Sequence, residues 1–198
     1  MLLMGTVSFF DLEIDPTKNL ILDVGCIRWD GTAFHETSVH KFIEFIKDSD
    51  FIVGHNIFKH DLRYLHQYLG ETTFGLLKTI DTLYVSPLLF PSRPYHNLLK
   101  DDKLQIDELN NPLNDSIKAK HLFFDQVNAF QNLDGALKKI FFNLLKEQKE
   151  FSCFFKYLDY EVNLTDEELE SLIQSFFATN VGKNNALKMV PQLLTLML

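Results

Sequence analysis

The sequence predicts an α/β fold: a mixed β-sheet flanked by α-helices, continued by a C-terminal helical extension. Short apolar or alternating runs fill the first half, helical stripes lie between and after them, and acids recur where an apolar run stops. The order strand, strand, hairpin, helix, strand, helix, strand, then helices implies a sheet covered by helices.

Alternation and β-branched content make residues 6–14 a strand, closed by a turn at Asp15-Pro16. Residues 21–31 form a second strand ending at the Asp30-Gly31 turn signal, with 33–39 pairing back as a hairpin. Val39, Phe42, Ile43 and Ile46 mark one stripe of a helix over 38–48. FIVGHN, residues 51–56, is a short buried strand that stops at Gly54. The next helix carries Phe58, Leu62, Leu65 and Leu69 on one face and is expected to stop at Gly70. A strand ends at Ile80-Asp81, and a helical turn runs through Leu83 until Pro87.

Residues 91–112 hold three prolines and no period, as an active-site loop or a loosely packed excursion would. Helices follow over 113–130 and 133–148, and Thr165 with Glu168 forms a capping box before an apolar stripe. Residues 1–149 are read as one domain and 150–198 as a helical extension or the start of a linker to a further domain. The apolar ending LLTLML suits a piece of a longer protein or a terminal helix docked on the body.

The chain has 198 residues, 46% of them apolar and 19 of them Phe, which supports a sizeable core and argues against disorder. Cys26 and Cys153 lie far apart in apolar contexts, as reduced thiols of a cytoplasmic protein do. The start lacks a basic leader region, and no apolar run approaches the roughly 20 residues of a membrane span. A net charge of −8 disfavours a broad phosphate-gripping surface, but not a short nucleic-acid end held at a metal site.

Along an extended strand Asp11 and Glu13 point the same way, and burying two like charges so close is costly unless a cation neutralises them. A strand end where both acids simply reach water is the plain alternative. GHNIFKHDLRYL places Asp61 early in a helix after a buried strand, and NPLNDSIKAKHLF places Asp115 in a first helical turn. Each of these alone is equally explained by the helix macrodipole. Thr82 is expected to cap the turn after Ile80, and Phe9, Phe10 and Phe58 to be core.

These segments resemble the DEDD 3′-5′ exonuclease superfamily, DEDDh-like, of the ribonuclease-H-like fold. The first motif stands as Asp11-Leu12-Glu13, with the strand that follows it running from Ile21 through Gly25 to Gly31. The second stands as His55, Asn56, Asp61 and Leu65, and the third as Asp115, Ala119, Leu122 and Phe123. The resemblance covers roughly residues 6–148. It implies metal-dependent exonuclease chemistry on DNA, less readily RNA, using two Mg²⁺ or Mn²⁺ ions held by Asp11, Glu13, Asp61 and Asp115. It also implies contact of Leu12, His55 and Asn56 with a single-stranded or 3′ end, and a nucleoside monophosphate as product.

The pattern departs from the family at the general base. The histidine five residues before the last aspartate is here Asn110, and the tyrosine of the other branch is Asn111; an amide is no base. His96 is the candidate substitute, and His121 is taken as structural. The stretch RPYHNLLKDDKL followed by NNPLND also resembles exonuclease-like domains fused ahead of RecQ-type bacterial helicases, so a helicase domain is a possible C-terminal partner. The alternative to a repair exonuclease is a degenerate exonuclease fold used as a nucleic-acid or protein binding module.

Overall fold

The computed structural model describes residues 5–76, 78–96, 98 and 111–180. Five strands form one sheet: β1 (Val7–Asp15), β2 (Leu20–Arg28), β3 (Ala33–Glu36), β4 (Phe51–Gly54) and β5 (Thr79–Asp81). Their order is β3-β2-β1-β4-β5. β1, β2 and β3 are antiparallel neighbours, and β4 and β5 run parallel to β1. A mixed five-stranded sheet of this order, with flanking helices, is a ribonuclease-H-like α/β fold. The helices are α1 (Val39–Ile46), α2 (Asp61–Leu76), α3 (Thr82–Leu89), α4 (Pro112–Asn132), α5 (Gly135–Leu145), α6 (Lys149–Tyr157) and α7 (Asp166–Asn180).

The chain divides into two compact units, Met1–Asn128 and Ala129–Leu198. In the first, the period-2 geometry of β1 sorts its side chains by face. Phe10 and Leu12 join Val39, Phe42 and Ile46 of α1 and Leu62 and Leu65 of α2 in one buried cluster. On the other face Phe9, fully buried, meets Phe123 and Phe124 of α4 at 5.6 and 5.7 Å between ring centroids. Each such ring contributes about 1.5–3 kcal/mol by leaving water. Asp11 and Glu13 share the face of Phe9, so β1 presents both carboxylates on the side that carries α4.

In the second unit Phe130, Phe142, Phe154, Phe155 and Tyr160 pack edge to face. The Asn143 amide donates to Val162 O and accepts from Leu164 N, fastening the segment before α7. The capping box is present: Thr165 N donates to Glu168 Oε2 at 2.8 Å, and Glu168 N to Thr165 Oγ1 at 3.2 Å.

Several boundaries differ from the sequence expectation. α2 starts at Asp61 and passes through Gly70 to Leu76. A glycine inside a helix costs only about 1 kcal/mol relative to alanine and cannot stop it unaided. α3 likewise passes Pro87 to Leu89, because its buried Thr82, Val85, Ser86 and Leu89 and the Asp81 cap hold it. β2 ends at Arg28, before the turn in which Gly31 adopts φ +93°. β3 is shorter than its run suggested, since Ser38 already caps α1 by accepting from Lys41 N. Asn110 and the ending LLTLML lie outside the described residues.

Candidate active site

The C-terminal ends of the parallel strands β1, β4 and β5 carry Asp11 to Glu13, the His55-Asn56 turn and Asp81. This is the edge where α/β sheets bind ligands. β4 pairs with β1 only through Val7, Ser8 and Phe9. Beyond that point no strand flanks β1 on its β4 side among the described residues, and the N–H of Leu12 donates instead to Asp61 Oδ1 at 3.0 Å. Asp61 is 1% exposed. One hydrogen bond therefore ties the first two motifs together.

Asp115 reaches the same end by another route. Asp11 lies directly across the ladder from Gly25. A Cβ on Gly25 would stand 2.0 Å from Leu113 N and 2.1 Å from Pro112 C. Only glycine lets the start of α4 rest on β2 at this position, and that contact sets the first turn of α4, which carries Asp115, against the residue that pairs with Asp11. α4 is capped by Asn111, whose Oδ1 accepts from Leu113 N at 3.0 Å and Asn114 N at 3.3 Å. Asp115 itself pairs with Lys118 at 3.4 Å.

The turn after β4 is equally constrained. A Cβ on Gly54 would meet Phe10 O at 2.8 Å, and Asn56 takes φ +64°, a left-handed geometry that asparagine tolerates. Asp81 holds this turn. Fully buried, it accepts from Asn56 N at 2.7 Å, Phe58 N at 3.0 Å and Leu83 N at 2.9 Å, bridging the second motif to the start of α3. Thr82 Oγ1 donates to Gly54 O at 3.1 Å, so in its 2.9 Å contact with His55 Nδ1 the hydroxyl accepts and the imidazole donates. That assigns the lone pair of His55 to Nε2, which is buried and makes no hydrogen bond among the described residues.

Electrostatics follow from this burial. Asp61 is raised above the usual carboxylate range, first by loss of solvent, with His60 and the Leu12 N–H opposing. Asp81 is raised for the same reason, against its three backbone donors. His55 is lowered to about 4 by burial, with Asp115 opposing and His96 adding to the fall, so it is neutral near pH 7. His60 is raised, chiefly by Asp61, whose Oδ2 lies 3.6 Å away, and to a smaller extent by Glu13. Glu13 and Asp61 thus act on one imidazole, and Asp115 and His96 on another.

The structure thereby brings Leu12, His55, Asn56, Asp61 and Asp115 to the strand ends that carry Asp11 and Glu13. Asp81, Gly25 and His60 are the residues that sequence reasoning did not single out for the site. Asp81 had a signal in the Asp-Thr pair ending an apolar run, and Gly25 in being a glycine inside a buried strand. Thr82 is not the helix cap that was expected: Asp81 caps α3, because its carboxylate reaches Leu83 N. His121 is exposed on α4 rather than structural.

In chemistry the donor set suits hard divalent cations, which prefer carboxylate oxygen, and the buried Asp61 carboxylate is of the kind that a cation relieves. Among the described residues, however, no three His, Cys, Asp or Glu side chains stand in a ready-made metal cluster. No described helix is long and apolar enough to cross a membrane.

No protein-family model and no curated protein matches the sequence. Among solved structures, the chain is similar to the family B DNA polymerase of the hyperthermophilic archaeon Pyrobaculum calidifontis, with TM-score 0.46 and 12% identity. The match covers 90% of this chain and 29% of the polymerase. At that level of similarity the fold rests on the strand order itself.

Proposed function

We propose that the chain is a metal-dependent 3′-5′ exonuclease domain that hydrolyses phosphodiester bonds of DNA slowly, as part of a larger repair or helicase protein. The observation that carries this is the 3.0 Å bond from Leu12 N to Asp61 Oδ1, which joins the Asp-x-Glu strand to the aspartate of the second motif at one sheet end. Asp11, Glu13, Asp61 and Asp115 would hold Mg²⁺ or Mn²⁺. Two such ions would supply water activation and leaving-group stabilisation. His55 cannot add positive charge near pH 7 and instead offers a hydrogen-bond acceptor, and Asp81 keeps the His55-Asn56 turn in position.

Neither Asn111 nor the amide of Asn110 can take a proton from water, and general-base help contributes on the order of 10² to 10⁴-fold. Slow turnover that rises with pH is the consequence. The test is release of mononucleotides from a single-stranded DNA labelled near its 3′ end, in Mn²⁺ and in EDTA. Metal-dependent release that Asp11→Asn abolishes supports the reading, and no release in Mn²⁺ sinks it.

A second reading is favoured by the lack of a ready-made three-donor cluster among the described residues and by the use of Asn111 as a helix cap. In it the same fold binds nucleic acid or protein with little turnover. Tight binding of the same oligonucleotide without any hydrolysis would favour it.

A further inference from the structure

A cavity of about 330 Å³ lies wholly within the second unit, between the end of α5, α6 and the segment that leads to α7. No residue of the candidate active site belongs to that unit. The volume is near the lower end of the roughly 300–1,000 Å³ of small-molecule sites. Its floor is aromatic. Phe142 packs edge to face on Phe155 at 5.3 Å and on Tyr160 at 5.6 Å between ring centroids. Charges of both signs line the rest.

Part of this wall is already satisfied from within. Lys146 donates to Asn163 Oδ1 at 2.5 Å and lies 5.5 Å over the Phe142 ring, and Asn163 Nδ2 donates to Glu161 at 3.0 Å. Glu147, Lys156 and Asp159 differ. All three line the cavity, are exposed, and make no side-chain hydrogen bond or ion pair among the described residues. Their number narrows the ligand. An ammonium has three N–H donors and can meet two carboxylates, whereas one lysine suffices for a carboxylate. Two open acids and one open lysine beside a floor of rings are the complement of an amino acid with an apolar side chain. A simple anion would meet two uncompensated carboxylates, and a simple amine would meet the charge of Lys156.

We propose that this cavity binds a free aromatic amino acid, its ammonium against Glu147 and Asp159, its carboxylate against Lys156 and its ring against Phe155 and Tyr160. Such a site goes beyond the exonuclease reading, because it shares no residue with the strand-end carboxylates and needs neither metal nor DNA.

The experiment is an NMR titration of the full chain with L-phenylalanine, phenethylamine and 3-phenylpropionate, the last two each lacking one of the charges. L-Phenylalanine should shift the amide signals of Lys146 to Asn163 saturably at about millimolar concentration, as a ligand of roughly a dozen non-hydrogen atoms does. Each one-charge analogue should bind about fivefold or more weakly, since it forfeits a charge-assisted hydrogen bond. Asp159 has φ +48°, a backbone geometry that asparagine also accepts, so Asp159→Asn should leave the melting temperature unchanged. Asp159→Asn and Lys156→Gln should each weaken L-phenylalanine about fivefold or more. No saturable shift up to about 20 mM overturns the assignment, being far above what such a ligand needs. So does either analogue binding as tightly as the amino acid, or undiminished binding in either variant.

Discussion

Asp61 and Asp81 are both buried carboxylates at the sheet end, yet their hydrogen bonds make opposite predictions for the same substitution. Asp61 receives the Leu12 N–H on Oδ1, so an asparagine there can still accept from Leu12 N. Asp81 uses both oxygens, Oδ1 for Asn56 N and Leu83 N and Oδ2 for Phe58 N. Asp81→Asn would turn an amide NH₂ toward one of these donors and should cost about 1–3 kcal/mol. Asp61→Asn should leave the neutral-pH melting temperature unchanged or higher, since it removes a desolvated charge. Burial raises Asp61 above its ordinary value of 3.8, so the folded state holds this proton more tightly than the unfolded one. Its stability contribution is complete below that ordinary value and is lost as pH rises through the folded one. Wild type should therefore gain on Asp61→Asn as pH falls from neutral toward 4 in parallel melts. A gap that stays constant with pH would contradict the burial argument.

At the scale of elements, the seating of α4 on β2 depends on one missing methyl. Gly25→Ala would push a Cβ into backbone at 2.0 Å, which α4 can relieve only by moving. We expect a loss near the upper end of about 1–3 kcal/mol in denaturant melts, with displacement of Asp115. Thr165→Ala should cost about 1 kcal/mol, because it removes the Oγ1 that accepts from Glu168 N at the start of α7, a helix far along the chain from every residue of the candidate active site. The capping box was legible because its chemistry is local. So were β1, β4 and the stripes of α1 and α4, whose periods are set by a single buried face. The extents of α2 and α3 were not, because packing of Leu65 or Val85 outweighs a glycine or a proline further along the same helix. Asp81 was noticed only as a strand end, since its three donors come from backbone at positions 56, 58 and 83, a relation that no local pattern records. The approach of Asp115 to Asp11 likewise depends on a contact between distant segments at Gly25.

For the whole molecule, a divalent ion that binds only the folded site must stabilise it by mass action. Mn²⁺ should raise the melting temperature of the wild-type chain and leave Asp11→Asn unmoved, and an equal shift in both would put the metal elsewhere. Hydrolysis, if limited by unaided ionisation of water, should rise with pH, and Asn110→His should accelerate it. A large rate loss in His96→Ala with no gain in Asn110→His would instead make His96 the base. The most direct test of the shared site is paramagnetic broadening of backbone amide signals by substoichiometric Mn²⁺ in NMR spectra of the intact chain. The account predicts that signals of Asp11, Leu12, Glu13, Asp61 and Asp115 broaden first and together, and that Asp11→Asn removes the effect. Broadening that begins instead at the acidic first turn of α7, Asp166 to Glu168, or that touches only one of the three motifs, would contradict a common metal site.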